Sequence, residues 1–250
     1  MPAPYTVAFD LDGTLAATGP DILRALNAAL SEGGLEPAAP QRMNELVSLG
    51  RGAVPLIEHC FRLNRRAPDT DAIRKMADRY LEIYYDNIAV DSALFPGCSM
   101  SLEALRDNDY RLAVCTNKPE RHAKSLLHAL GILPLFAAVF GRDTLAWSKP
   151  DPRHLTETVR AAGGDPARAI MVGDSMTDVA TARAAGIPVI CVSFGYSDVA
   201  PQSLGADMLI DSFAELPAAI GTLARERIAP TALPEQERAC AVELADIEKQ

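Results

Sequence analysis

Two carboxylates, Asp10 and Asp12, stand two residues apart where an apolar run ends, and Gly13-Thr14 follows them. The run Tyr5-Thr6-Val7-Ala8-Phe9 is rich in β-branched and aromatic residues, which suit a short buried strand. Residues i and i+2 of a strand point to one face. Like charges that close are costly unless a positive charge lies beside them. The pair therefore asks for a divalent cation, and Gly13 lets the chain bend away from it. Three further polar clusters follow apolar runs in the same way. Thr116-Asn117-Lys118-Pro119 comes after 111–115, and Lys149-Pro150 comes a short loop after 137–140. Gly173-Asp174-Ser175-Met176-Thr177-Asp178 comes after 169–172.

These parts suit phosphoryl transfer through a carboxylate. An aspartate attacking a phosphate dianion meets a repulsion of about 5 kcal/mol per unit charge, at about 3.5 Å and an effective dielectric of about 20. A magnesium ion and an ammonium would offset it. Asp10 and Asp174 offer hard oxygens, and the backbone carbonyl of Asp12 is a third candidate ligand. The Thr116 hydroxyl and the Asn117 backbone amide would hold phosphoryl oxygens, and Lys149 would neutralise the charge that the transition state concentrates there. Asp12 would protonate the leaving alcohol and later activate water. Asp10 would carry the phosphoryl group as a covalent intermediate.

Each cluster also has a plainer reading. A calcium loop starting at Asp10 needs glycine at its sixth position, where Leu15 stands. Ser175-x-x-Asp178 fits a helix capping box, which is compatible with a site. Thr116 and Asn117 could cap the helix that begins near Pro119, and Lys149 could be a surface lysine. The shared placement of all the clusters just past strands favours one common site.

The elements that must hold them follow from the apolar pattern. Strands are expected at 5–9, 111–115, 137–140, 169–172, 187–192 and 208–210, with helices at 120–130, 152–162 and 177–185 between the later ones. Alternation of this kind implies an α/β fold, a doubly wound parallel sheet of Rossmann-like type. Ligands in such sheets sit beyond the strands' carboxyl ends, where strand order reverses. The first crossover is far too long for a simple one. It offers helical patterns at 21–30, 41–49, 53–61 and 70–88, the last with Ile73, Met76, Tyr80, Ile83, Tyr84 and Ile88 on one face. We expect an inserted all-α cap domain over 16–94, hinged near 16–20 and 92–97 and rooted beside Asp10 and Asp12. The α/β core would then comprise 1–15 and 95–222. Residues 223–250 form a Pro-punctuated, charged tail with a short helical pattern at 239–247.

Composition limits the partners. The formal net charge of −9 argues against nucleic acid, whose phosphates need clustered Lys and Arg. It leaves room for a small phosphorylated metabolite, which responds to local charge. No apolar run is long enough to span a bilayer. The five cysteines are scattered without a Cys-x-x-Cys, and Met1-Pro2-Ala3-Pro4 lacks the features of a signal peptide. Both point to a reducing cytoplasm. A monomer or a homodimer would serve equally.

Taken together, Asp10-x-Asp12-Gly13-Thr14, Thr116-Asn117, Lys149-Pro150 and Gly173-Asp174-x-x-x-Asp178 resemble the four ordered motifs of the haloacid dehalogenase superfamily, phosphatase branch. The resemblance covers about 5–210, with the insert where that family carries a helical cap. It implies Asp10 as nucleophile, Asp12 as general acid and base, Thr116 and Asn117 as phosphate ligands, and Lys149 as the stabilising cation. It implies Mg2+ on Asp10, Asp12 and Asp174, with Asp178 ligating or supporting it through water. Thr116-Asn117-Lys118-Pro119, Lys149-Pro150-Asp151-Pro152 and Gly50-Arg51-Gly52 look most like phosphoglycolate phosphatases, although Ala17 stands where those commonly carry an acid. Arg51 could present a guanidinium to a substrate carboxylate, or Gly50-Arg51-Gly52 could be a turn between helices. His59 and Lys75 read as helix-face residues. A sugar phosphomutase keeps all four motifs and is the enzymatic rival. A phospho-aspartate signalling switch separates its acid pair from its acceptor strand, unlike Asp10 and Asp12.

Overall fold

The computed structural model describes residues 4–48, 52–67 and 69–228. Six parallel strands form the central sheet: β1 (Thr6–Phe9), β4 (Arg111–Cys115), β5 (Ala138–Phe140), β6 (Ala169–Gly173), β7 (Val189–Val192) and β8 (Met208–Ile210). Their spatial order is β5-β4-β1-β6-β7-β8. The chain therefore builds outward on one side of β1, returns, and builds outward on the other. The expected strand at 187–192 begins only at Val189, because Pro188 has no N–H to give a ladder.

Period-two alternation sorts the sheet residues between two layers. Val7, Phe9, Leu112, Val114, Ile170, Val172, Ile190 and Val192 share one apolar cluster. It is completed by α5 (Cys98–Asp107), α6 (Glu120–Ala129) and α9 (Leu216–Ile228), through Leu102, Leu126 and Ile220 among others. Ala8, Met171, Val189 and Cys191 face the other way, onto Leu155 and Val159 of α7 (Pro152–Ala161) and Val179 and Ala182 of α8 (Met176–Ala184). Both faces of a parallel sheet are thus covered, as its crossover connections require. Because α9 runs to Ile228 and buries Leu223 and Ala224, the fold continues past residue 222. The remainder of the expected tail, with the helical pattern at 239–247, lies outside the described residues.

Between β1 and α5 the chain leaves the sheet. It passes through β2 (Ala16–Ala17), then α1 (Gly19–Glu32), α2 (Met43–Ser48), α3 (Ala53–Leu63) and α4 (Thr70–Asp86), and comes back through β3 (Ala93–Leu94). Leu26, Leu30, Ile57, Phe61, Tyr80 and Tyr84 pack these helices together and extend the first apolar cluster into them. β2 and β3 pair antiparallel, Ala16 with Leu94 and Ala17 with Ala93, so the outgoing and returning segments are tied side by side. Asp21 adds a second tie. Its buried carboxylate accepts from the N–H groups of Asp91 (3.0 Å) and Ser92 (2.9 Å), from Ser92 Oγ (2.7 Å) and from Arg24. No helix among the described residues is long and apolar enough to cross a membrane.

Candidate active site

Strand order reverses at β1, and the register there is aligned. Phe9 lies opposite Val114 of β4 and Val172 of β6. The residues that follow, Asp10, Thr116 and Asp174, therefore emerge at one edge of the sheet. Lys149 reaches the same point from the loop after β5. Its Nζ lies 3.0 Å from Asp10 Oδ1 and 2.6 Å from Asp178 Oδ1. Carboxylate oxygens of Asp10, Asp174 and Asp178 all fall within 4.8 Å of one another. Five of the expected residues, Asp10, Thr116, Lys149, Asp174 and Asp178, thus meet around one point. The Lys149 side chain is 2% exposed, so it is no surface lysine.

Local structure explains each placement. Asp178 is the third residue of α8 and completes a capping box with Ser175, the motif expected there. Its Oδ2 accepts from Ser175 Oγ (2.7 Å) and from the N–H groups of Ser175 (3.1 Å) and Asp174 (3.2 Å), which leaves Oδ1 for Lys149. Asp174 is held on both sides, by Thr14 Oγ1 at Oδ1 (3.0 Å) and by the Tyr196 N–H at Oδ2 (2.7 Å). Gly13 has φ +82°, and a Cβ there would stand 2.3 Å from Asp174 Oδ2. Only glycine supplies both the turn and the space. Asn117 Nδ2 donates to the Lys149 carbonyl (3.0 Å) and ties the two loops. The Thr116 hydroxyl hydrogen-bonds Asp10 and also accepts from the Lys118 N–H (3.3 Å).

β1 ends at Phe9, and beyond it the alternation of a strand no longer applies. The Asp12 side chain turns toward Lys118, whose Nζ donates to both of its oxygens at 2.7 and 3.0 Å. Each carboxylate of the pair has its own lysine.

Burial dominates the electrostatics of the cluster. It pushes Asp10 up to about 6, against the pull of Lys149, with Asp178 and Asp12 adding to the rise. Burial, then Asp178 and Asp10, hold Asp174 well above the ordinary carboxylate range. For Lys149, burial works against the charge, but Asp10 and Asp178 outweigh it and keep the ammonium charged above its usual range. Three carboxylates around one ammonium, Asp174 and Asp178 buried and Asp10 largely so, are short of positive charge. Asp10 Oδ1 touches Lys149 yet accepts no well-directed hydrogen bond. A hard divalent cation fits that donor set of carboxylate oxygens.

A model of the haloacid dehalogenase-like hydrolase family matches residues 7–192, most of the chain and every element around this point. The chain belongs to the haloacid dehalogenase-like hydrolases. It is 41% identical to a phosphoglycolate phosphatase of Caulobacter vibrioides over 90% of this chain and 94% of that one. It is 45% identical to a phosphoglycolate phosphatase of Mesorhizobium japonicum over 77% of this chain and 84% of the relative. Among solved structures it is similar to that of a predicted phosphoglycolate phosphatase from Haemophilus somnus. There the TM-score is 0.80 at 30% identity, over 86% of this chain and 97% of that one.

Several residues of this hydrolase's site escaped the sequence reading. Lys118 was named only within a motif, yet its side chain is 3% exposed and paired with Asp12. Tyr84 Oη of α4 accepts a 2.7 Å bond from Lys118 Nζ. Thr14 and Tyr196 fix Asp174, and the Tyr196 hydroxyl also accepts from the Gly19 N–H (2.7 Å) at the start of α1. Tyr196 lies just past β7, so the strand-end rule that picked out the other clusters would have found it. Arg51 lies outside the described residues. Its neighbour Gly52 packs against Arg142 of the sheet domain, whose Cδ would be 3.0 Å from a Cβ at that position. His59 pairs with Glu45 (2.8 Å) within the helical insert and Lys75 is exposed, as helix-face residues should be.

Proposed function

We propose that this hydrolase is a magnesium-dependent phosphatase that cleaves a small phosphate monoester, 2-phosphoglycolate, through an aspartyl-phosphate. The observation that carries the reading is Lys149 between Asp10 and Asp178 in a buried carboxylate cluster at the strand-order switch point. The relatives' names supply the substrate.

In the first half-reaction an Asp10 oxygen attacks phosphorus. An O–P bond forms on Asp10, the ester P–O bond breaks, and the leaving glycolate oxygen takes a proton from Asp12. In the second half, Asp12 removes a proton from water, whose oxygen attacks phosphorus. Inorganic phosphate leaves and the Asp10 carboxylate is restored. Lys149, with the Thr116 hydroxyl and the Asn117 N–H, would hold the phosphoryl oxygens as charge gathers on them. Magnesium on Asp10, Asp174 and the Asp12 carbonyl, with Asp178 in support, would screen the nucleophile from the phosphate dianion.

Residues 1–15 and the chain from 95 through the end of α9 would act as the catalytic core and 16–94 as a cap over it. Arg51 would meet the substrate carboxylate from the cap. The described cysteines, Cys60, Cys98, Cys115 and Cys191, are all free thiols, in keeping with a reducing cytoplasm.

A panel of small phosphate esters with magnesium tests the reading. It should show phosphate release, fastest from 2-phosphoglycolate, and Asp10→Asn should show none while keeping its fold. Residual turnover in Asp10→Asn would refute covalent catalysis, and preference for a hexose phosphate with a bisphosphate activator would favour a mutase. Arg51→Ala should raise KM for 2-phosphoglycolate about tenfold, the loss of one charge-assisted contact of about 1.4 kcal/mol, and leave neutral aryl phosphates alone. Equal effects on both substrates would remove Arg51 from the binding site.

A further inference from the structure

The most informative unexplained contact lies beside Asp12. Lys118 Nζ makes three short bonds, to both Asp12 oxygens (2.7 and 3.0 Å) and to Tyr84 Oη (2.7 Å). Asp12 and Lys118 belong to loops of the sheet domain, whereas Tyr84 belongs to α4 of the helical insert. One ammonium thus spans the boundary and connects the insert to the carboxylate assigned to proton transfer.

Tyr84 is itself tightly held. It is 2% exposed and stacks with Tyr80 and with His122, each ring centroid 6.0 Å away. His122, on α6, donates from Nε2 to the Leu81 carbonyl of α4 (2.9 Å). Arg121 lies over the Tyr85 ring at 3.7 Å. These contacts fix the register of α4 on α6, so the Tyr84 hydroxyl reaches one place on the sheet domain. Lys118 Nζ is also 4.4 Å from the Tyr84 ring centroid. A ring and a hydroxyl together offer a lysine a far more directional seat than either alone.

We propose that Tyr84 is a positioning residue for the proton-transfer step: with the helical insert docked, its hydroxyl fixes the Lys118 ammonium, and Lys118 fixes the Asp12 carboxylate toward the leaving oxygen. Tyr84 touches no reacting atom. A long lysine side chain held at one end only samples several rotamers, and Asp12 would swing with it. Seating of the insert would thereby align the acid that the leaving group needs. The proposal rests on Asp12 being that acid.

The test uses aryl phosphates with uncharged substituents, from phenyl to para-nitrophenyl phosphate, which differ in how much the leaving oxygen needs a proton. The measured quantity is kcat/KM, which reports the step that breaks the ester bond. Tyr84→Phe keeps the ring, the stack and the fold, and removes one hydroxyl. It should lose about tenfold on phenyl phosphate and far less on para-nitrophenyl phosphate, a fraction of the 10²–10⁴-fold that a general acid commonly provides. Lys118→Met should show the same tilt, and adding Tyr84→Phe to Lys118→Met should cost nothing more, since the two act in series. Equal losses along the series, a loss confined to carboxylate-bearing substrates, or additive effects in the double variant would each overturn the proposal. Asp12→Asn is run beside them. If it shows no tilt while the wild type hydrolyses the series, the Asp12 assignment fails and this proposal falls with it. If it tilts and Tyr84→Phe does not, the assignment stands and only the role of Tyr84 is lost.

Discussion

Asp10 and Asp12 are two residues apart, each faces a nearly buried lysine, and the two pairs are built differently. The Asp10 pair is assembled entirely from the sheet domain. Lys149 comes from the loop after β5, and Asp174 and Asp178 from the single turn that leads from β6 into α8, locked by a capping box and by bonds from Thr14 and Tyr196. The Asp12 pair is completed only by Tyr84 from the helical insert. The contrast separates two tasks. On the proposed mechanism, the groups that would meet phosphorus are all set by the sheet domain, while the group that would handle the proton is coupled to a part joined through two short segments. An enzyme so arranged can bind its phosphoryl group first and complete its acid when the insert is seated.

Lys149→Met breaks the first pair and carries the largest expected effect. The transition state loses its fixed cation, which lowers kcat by about 10²–10³-fold. Asp10 and Asp178 lose their shared counter-charge as well, and stranding a buried charge costs about 3–5 kcal/mol of stability. Thermal melts at neutral pH should therefore drop sharply, and a divalent cation should restore part of the loss without restoring kcat. A variant that melts like the wild type without metal would show that the cluster already protonates itself.

The same cluster gives stability a definite pH dependence. Burial lifts Asp10 to about 6, above the value of about 3.9 for an unfolded aspartate. The folded protein then holds a proton that the unfolded chain has released. The contribution of Asp10 is fully present below about pH 4 and disappears as pH rises through about 6. In metal-free protein, the melting temperature of wild type minus that of Asp10→Asn should fall across that window. Saturating magnesium should flatten the difference, because the cation replaces the proton. An unchanged difference from pH 4 to 7 would remove burial as the controlling influence on Asp10.

Much of this was legible in the sequence, for identifiable reasons. Buried parallel strands are apolar runs, and the polar residues that end them were read directly, so Asp10, Thr116, Lys149, Asp174 and Asp178 were found. The capping box of Ser175 and Asp178 was visible because it is a local pattern. Other features have no local signature. β2 and β3 are two residues each, too short for any periodicity. The helix Cys98–Asp107 was not expected, since Ser99 and Ser101 favour it weakly and its apolar residues are only Cys98, Met100, Leu102, Ala104 and Leu105. The partnership of Lys118 with Tyr84 joins positions 34 apart in sequence and depends on how α4 seats on α6. Strand geometry gives no account of the Asp12 partner either, because the strand stops before the second carboxylate is reached and Lys118 lies 106 positions away.

Asp21 offers the smallest and most selective way to separate the two pairs. It lies in the first turn of α1, and its carboxylate takes bonds from Asp91 and Ser92 on the returning segment. Burial alone would raise its pKa. The bonds from Ser92, Arg24 and Asp91 outweigh that and hold it below the ordinary range. Asp21→Asn keeps the size but cannot accept all of those hydrogens, and the loss should be about 1–3 kcal/mol. That stabilisation is present above the unfolded value of about 3.9 and vanishes as pH falls through the lower folded value. The gap between wild type and Asp21→Asn should thus stay constant from neutral pH down to about 4 and close below it. Because Asp21 ties the insert but touches neither lysine, the Asp10 pair should be left intact and the seating of Tyr84 loosened. Binding of inorganic phosphate should then hold near the wild-type level, while turnover of phenyl phosphate falls more than that of para-nitrophenyl phosphate. Equal losses in phosphate binding and in both turnovers would mean that the two pairs form one unit, and that the insert supports the nucleophile as much as it supports the acid.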